Sequence, residues 1–458
     1  MDYQETVEYL YNSTPVFEHV GAVAYKEGLE NTLAMDEHFG HPHRSYKTIH
    51  IAGTNGKGSC SHTLAAILQA AGYKVGLYTS PHLVDFRERI RVNGQMISEK
   101  RVVDFVADHR AFFEPLHPSF FELTTAMALL YFKEQQVDVA VIEVGLGGRL
   151  DCTNIITPVL SVITNISLDH TQFLGHTLEK IAGEKAGIIK IGVPVVVGET
   201  QAETAPVFQA KAEQQGAPIL FAEHNREVTN WQFSQQGGID YQTRSLGALH
   251  GQLGGEYQAK NTNTILAAID VLQGKAHAKG FPEAPIFKIS EQHVADGFAN
   301  VCESTGLQGR WQTLHQHPLV VCDTGHNAAG WTYLAEQIAM QKCQHKHIVF
   351  GMVDDKDIGA VMDMLPKDAS QHTSSRALGK GGTDGPAAPF EGRRLRKRGA
   401  SIPQGNGKGR PKRFSFCWWI ELRRGRFVGV KRFLTSCCPY FLYFILRLSF
   451  IFSYFADR

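Results

Sequence analysis

IAGTNGKGS, from Ile51 to Ser59, decides how the rest of the chain is read. It follows an apolar, β-rich run (Thr48 to Ala52) and leads into a helical pattern from Gly58 to Ala71 that stops at Gly72. Gly53, Gly56 and Gly58 let the backbone fold tightly, so that amide N–H groups can point at phosphate oxygens while the following helix offers its positive end. Lys57 adds a charge able to reach the outer phosphates. The position five before Gly56 is Ile51, not glycine, so the loop is shorter than the general P-loop. The spacing alone therefore leaves a plain alternative open: a Gly-rich turn between strand and helix, with an ordinary surface lysine.

Outward from this turn the chain keeps alternating. Apolar runs at Val75 to Tyr78, Val137 to Val144, Val159 to Ile163, Val193 to Val197 and Ile219 to Ala222 are separated by helical patterns such as Glu122 to Gln135 and Leu178 to Ile189. This predicts an α/β fold with a mostly parallel sheet covered by helices. WQFSQQGGIDYQT reads as a hairpin around Gly237 and Gly238, and a helix is predicted from Glu256 to Leu272. A second, smaller α/β unit opens near residues 299 to 309, with a strand through Val321, a helix from Ala328 to Gln341 and a strand at His347 to Phe350.

A length of 458 residues suits two or three domains. The net charge of +1 hides a split: residues 371 to 458 hold 18 Lys+Arg against 4 Asp+Glu, leaving 28 against 41 before them, a net −13. An acidic main body gives no reason to expect a nucleic-acid partner. MDYQETVEYL lacks a secretory pattern, and the eight scattered cysteines form no CxxC pair, so reduced thiols and a cytoplasmic location are expected. The basic, then aromatic, stretch after about Ala369 has three readings: a linker with a membrane anchor, a nucleic-acid-binding tail, or translation in a shifted frame. Arg447, Pro439, Cys437 and Cys438 weaken the anchor, and charge alone supports the second. The frame shift is preferred, because nothing downstream shows the alternation needed to finish a second sheet.

GTNGKGS, together with YTSPHLVDFRERIRVNG (Tyr78 to Gly94), VIEVGLGGRLDCTN (Val141 to Asn154), NISLDHTQFLGHTLEKIAGEKAGIIK (Asn165 to Lys190) and DTGHNAAG (Asp323 to Gly330), resembles the folylpolyglutamate synthase/dihydrofolate synthase family, a branch of the Mur ligases. The resemblance runs in order from about residue 20 to about 365. FSFCWWIELRRGRF resembles a shifted-frame rendering of that family's late strand and turn. It implies a Mur-ligase-like P-loop ATPase domain over residues 1–300, binding ATP and folate. The start of a Rossmann-like glutamate-ligase domain would follow over 301–370, incomplete because 371–458 is expected to be out of frame and disordered.

Joining a carboxylate to an amine needs activation, which ATP supplies as an acyl phosphate, and such a site must neutralise charge with cations and oriented donors. Glu143 closes an apolar strand just before GLGG, at the edge where ligands bind in open α/β sheets; the plain alternative is a loop carboxylate paired with Arg149. The resemblance implies that Ser80, Glu143 and His170 hold Mg²⁺, and that Lys185 is a carbamylated lysine helping to organise a second ion. Residues alone favour a surface role for Lys185. Thr54, Asn55, Gly56, Lys57, Gly58 and Ser59 are expected to bind ATP, with Lys57, His170 and Lys185 catalytic. The resemblance adds Asn261 at adenine and Arg310, Asp323 and His326 at phosphate and ribose; an Arg310–Asp323 salt bridge is the rival. For the pterin it implies Pro81, His82, Phe121, Glu122 and Asp151, although Phe120 and Phe121 fit a helix-start core equally well. Exposed charge is the alternative for Arg87, Glu88 and Arg89.

The expected activity is an ATP- and Mg²⁺-dependent ligase, monomeric and away from membranes, that adds L-glutamate to dihydropteroate or reduced folates. A Mur ligase acting on a cell-wall precursor and an inactive nucleotide-binding remnant are the rivals.

Overall fold

Strand β1 (Lys47–Ala52) is buried at every residue except Lys47, because parallel neighbours flank it on both sides. Its companions are β2 (Val75–Tyr78), β3 (Ile90–Val92), β4 (Gln95–Met96), β5 (Val139–Glu143), β6 (Leu160–Ile163), β7 (Val195–Val197) and β8 (Ile219–Phe221). They form one sheet in the order β4-β3-β2-β5-β1-β6-β7-β8, parallel from β2 to β8, with β3 and β4 added antiparallel at one edge. The computed structural model describes residues 1–12, 28–276, 280–316, 319–343, 345–350, 358–366, 370–373 and 413–418. These fall into two units, Met1–Arg310 and Trp311–Arg458.

Apolar residues point to both faces of the sheet, so each face needs cover. The helices Lys57–Ala70 and Gln258–Leu272 bury Leu64, Leu68, Ile265 and Ile269 against Ile49, Val139 and Val162. The helices Glu99–Phe113 and Phe120–Glu134 cover the β2 and β5 side with Phe105, Leu123 and Phe132, and Leu178–Lys185 and Ala205–Gln215 pack near β6 and β7. The expected hairpin exists as part of a three-stranded antiparallel sheet, β9 (Val228–Phe233), β10 (Ile239–Thr243) and β11 (Gly247–Gly251). Gly237 and Gly238 turn it with φ of 94° and 74°, which glycine adopts without strain.

Two expectations about the second unit need correction. Its boundary lies at 310/311, not 300/301. The short helix Val301–Thr305 packs on Lys57–Ala70, with Val301 and Leu307 clustered against Ala66 and Leu253, and with the His62 ring 2.7 Å from Thr305 Oγ1. A change of composition could not reveal that anchoring. The second correction concerns the sheet, which does not stop at two strands. It runs β12 (Gln312–Gln316), β13 (Leu319–Asp323), β14 (His345–Phe350), β15 (Ser370–Thr373) and β16 (Arg413–Trp418) in the order β12-β13-β16-β14-β15. β16 pairs in parallel with both β13 and β14, inside the stretch expected to be disordered. Its alternation, Phe414, Phe416 and Trp418 separated by Ser415 and Cys417, is the period a strand requires. Residues 374–412 and 419–458 of that tail lie outside the described residues. No helix among the described residues is long and apolar enough to cross a membrane.

Candidate functional site

Four neighbouring strands, β2, β5, β1 and β6, end on the same edge of the parallel sheet, and each continues into a stretch singled out from sequence: 79–89, 144–151, 53–56 and 164–170. Parallel order alone thus gathers Ser80, Glu143, Lys57 and His170 at one rim. The loop after β1 can be built only from glycine at its corners. Gly53 has φ 149°, and a Cβ there would lie 1.8 Å from Thr164 Oγ1; Gly56 has φ 84°, and a Cβ would lie 2.3 Å from Asn261 Oδ1. The loop is tied down along its length. Thr54 N donates to Asn165 O and Asn55 N to Asn165 Oδ1, both at 2.9 Å, and Thr164 Oγ1 donates to Asn55 O at 2.6 Å. Asn165 is itself oriented by Glu199, which also receives Lys260 Nζ at 2.6 Å. On the helix side Gln258 Nε2 donates to Ser59 Oγ at 3.1 Å and its Oε1 accepts from Asn261 Nδ2 at 2.9 Å.

Lys57 curls back over this loop, donating to Gly53 O and Thr54 O at 3.1 Å each. Glu143 sits beside it, 4% exposed, one oxygen accepting from Ser80 N at 3.2 Å. Burial pushes its carboxyl up, opposed first by Lys57 and then by the Ser80 amide, Arg310 and Arg89. A Cβ at Gly58 would lie 3.1 Å from an Arg310 guanidinium nitrogen and 3.9 Å from Glu143 Oε2, so both reach the first turn of the helix Lys57–Ala70. The alternative pairing fails, because Arg149 binds Glu184 at 2.9 Å. No cation lies within ion-pair distance of Glu143 among the described residues, and a buried carboxylate so supplied fits a hard dication.

His170 adopts a left-handed φ of 48° just before the short helix Thr171–Leu174, its amide donating to Asp169 Oδ1 at 2.8 Å. Lys185 is buried, not the surface residue that its sequence position suggests. Burial, and then Lys57, push its ammonium down to about 7 against the pull of Asp169, Asp151 and Glu184. These charges share one field, which ties Lys185 to the phosphate loop and to the residue next to His170.

The Mur ligase middle domain family matches residues 51–271. The folylpolyglutamate synthase of Lacticaseibacillus casei is 36% identical over 377 residues, covering 80% of this chain and 83% of that protein. The dihydrofolate synthase/folylpolyglutamate synthase of Escherichia coli strain K12 is 38% identical over 320 residues, 69% of each. An FPGS–AMPPCP–folate complex superimposes with a TM-score of 0.70 at 34% identity, covering 81% of this chain and 88% of that one. The chain belongs to the folylpolyglutamate synthase/dihydrofolate synthase family. It is therefore an ATP-dependent ligase, and the reading as a cell-wall ligase or a non-catalytic remnant gives way to it.

Within this family member the stretch after Ser80 is far from loose. Glu88, for which exposed charge was the alternative, accepts the amides of Leu83, Val84 and Asp85 at 2.8, 2.9 and 2.8 Å. Arg89 is buried and donates from Nε to His82 Nδ1 at 2.7 Å, which leaves His82 Nε2–H to donate to Tyr11 OH at 2.8 Å. Tyr11 stacks on Phe120, and Tyr3 OH donates to Asp85 at 2.7 Å, so the helix Tyr3–Asn12 clasps the SPHL segment. Pro81 is exposed on that segment. Phe120 is core, whereas Phe121 is half-buried and lies over the turn after Glu143: a Cβ at Gly145 would meet its ring at 2.4 Å.

Glu122 and Asp151 have local duties that sequence reading missed. Glu122 closes a capping box with Ser119, accepting its amide at 2.6 Å, a Ser-x-x-Glu signature visible in the sequence. Asp151 accepts from Leu146 N at 2.8 Å and from Thr153 N at 3.0 Å, which closes the GLGGR turn on itself. The Thr153 hydroxyl also donates to Asp151 and meets His50 Nε2 at 2.8 Å. His50, which burial pushes down to about 3, is neutral there and donates to it. Asp323 and His326 belong to the second unit, where Asp323 accepts Trp311 N and Gly325 N at 2.8 Å each and His326 Nδ1 lies 3.3 Å from Thr324 O. Gln258 and Glu199 left no trace in the sequence beyond the helical spacing of Gln258 and Asn261.

Proposed function

We propose that this ligase adds L-glutamate to dihydropteroate, a reduced folate, or both, through an acyl phosphate. A carboxylate oxygen of the pterin-bearing substrate attacks the γ-phosphorus of ATP and ADP leaves. The glutamate amine then attacks the acyl carbon and loses a proton, phosphate departs with the former carboxylate oxygen, and an amide remains. Thr54 to Ser59 are the phosphate cradle: their amides and the helix terminus stabilise charge spreading over the transferred group, and Lys57 swings from the Gly53 and Thr54 carbonyls to the γ-phosphate. Asn261 and Arg310 are the nucleotide contacts that the first unit offers beside this cradle. Pro81, His82 and Phe121 offer an apolar and aromatic wall on which a flat bicyclic ring can stack, with Glu122 and Asp151 holding the backbone beneath it. Ser80, Glu143 and His170 are the residues that would hold Mg²⁺, whose charge would offset the phosphate and the incoming carboxylate. A cytoplasmic location, where thiols such as that of the buried Cys60 stay reduced, completes the reading.

The observation carrying this reading is the rim itself: Lys57 over its loop, Glu143 buried beside it, and the Ser80 amide on Glu143. The test compares dihydropteroate, reduced folates and UDP-linked peptide precursors as acceptors in ATP-dependent glutamate incorporation. Turnover is expected with the pterins only; turnover confined to the UDP-linked substrates would overturn the assignment.

Lys185 deepens the same reading. A lysine held near 7 supplies the neutral amine that reacts with CO₂, and carbamylation would turn it into an anion able to help organise a second ion. In CO₂-free buffer its effect on stability has a definite sign. Its folded value of about 7 lies below the ordinary 10.5, so between these limits the unfolded chain binds more protons and stability rises with pH. Lys185→Met should flatten that rise, read from denaturant midpoints between pH 7 and pH 10. An unchanged slope would refute the depressed pKa, and a Lys185 peptide lacking the extra carboxyl under CO₂ and Mg²⁺ would refute carbamylation.

A further inference from the structure

The helix Glu30–His38 and the entry to β1 carry a group of ligating side chains that the ligase reaction does not use. The chain leaves the helix through Gly40 and His41, with φ of 66° and 50°, and enters a 3₁₀ turn, Pro42–Ser45. This doubles it back so that two imidazoles, on either side of Pro42, meet one carboxylate. His41 Nδ1 lies 2.6 Å and His43 Nε2 3.3 Å from the same oxygen, Asp36 Oδ2. The three candidate ligand atoms all lie within 4.8 Å of one another. Asp36 is 6% exposed, and its other oxygen, Oδ1, is buried with no hydrogen-bond partner.

Hydrogen bonding alone explains this arrangement poorly. A carboxylate placed only to accept two N–H groups would share them between its oxygens, whereas here both rings crowd onto one while the other is left desolvated at a cost. A dication resolves the mismatch, since it takes nitrogen lone pairs from both rings and can engage either carboxylate oxygen. His41 is partly exposed and leaves a path for entry. The nearby His38 is committed elsewhere, stacked on Phe112 at 3.6 Å.

We propose that Asp36, His41 and His43 bind one transition-metal dication of the zinc class, in a site sharing no residue with Ser80, Glu143 and His170. Two imidazoles and a carboxylate suit Zn²⁺, Co²⁺ or Ni²⁺, whereas Mg²⁺ prefers oxygen donors. Three protein ligands leave a fourth position for water. The ion would staple the end of the helix Glu30–His38 to the segment that feeds β1.

The full-length protein, titrated with Co²⁺ in excess Mg²⁺, should bind one equivalent with the visible absorption of a nitrogen-ligated ion. His41→Ala combined with His43→Ala should lose that equivalent and keep its Mg²⁺-supported ligase activity, while Glu143→Ala should keep the equivalent. An unchanged Co²⁺ stoichiometry and spectrum in the double variant would overturn the proposal. Should that variant fail to fold, X-ray absorption of the wild-type protein loaded with Zn²⁺ decides: two imidazoles in the coordination shell are expected, and one or none would overturn it.

Discussion

Glu143→Ala should lower ATP-dependent amide formation by about a thousandfold or more, the scale on which removal of one preorganised charge-stabilising group acts. The same substitution should leave thermal stability unchanged or raised. Glu143 is a buried carboxylate whose charge is disfavoured by burial, and among the described residues it accepts one hydrogen bond, from the Ser80 amide. Removing it therefore takes away more desolvation cost than bonding. A structural acid would behave oppositely, losing stability and activity together. Glu143→Gln sharpens the contrast: it keeps an acceptor for Ser80 but not the charge, and its turnover should stay close to that of the alanine variant. Steady-state kinetics beside thermal unfolding would check both halves, and near-normal turnover in Glu143→Ala would contradict the role assigned to it.

Lys57→Ala is expected to act through a different quantity. Its ammonium is parked on the Gly53 and Thr54 carbonyls, within reach of the loop it would serve, so little reorganisation separates that position from a γ-phosphate. Loss of the charge should cost about 10²- to 10³-fold in kcat, because it acts where negative charge spreads in the transition state. The backbone amides from Thr54 to Ser59 would remain to bind phosphate, so KM for ATP should change less than kcat. Lys57→Arg should rescue little, since a planar fork cannot replace a compact ammonium inside so tight a loop. A variant that lost only ATP affinity, with kcat intact, would demote Lys57 to a binding residue.

The phosphate loop and the strands around it were legible in the sequence because their signals are local: glycines at corners, apolar runs of strand length and a lysine at the helix start. The rim was partly legible for the same reason, since Glu143 ends an apolar strand just before a glycine turn. What stayed hidden depends on partners far apart in the chain. Asn165 holding Asn55, Gln258 holding Ser59 and Glu199 orienting Asn165 join separate strands and helices, and no periodicity connects them. Lys185 read as a surface lysine because its burial comes from the loop after β5 folding back over it, with Arg149 N donating to Glu184 O. Composition likewise misled at both ends of the second unit. Val301–Thr305 belongs with the helix Lys57–Ala70, and β16 enters the middle of a sheet from a basic stretch whose average character hides one alternating hexamer.

Delivery of the γ-phosphate to a substrate carboxylate beside Lys57 and Glu143 is the central step of the proposed reaction. Dihydropteroate or folate labelled with ¹⁸O in its reacting carboxylate, turned over with ATP and glutamate, tests this directly by mass analysis of the released phosphate. One labelled oxygen should pass to inorganic phosphate in each amide-forming turnover. Phosphate free of label, with product still formed, would contradict the acyl-phosphate reading.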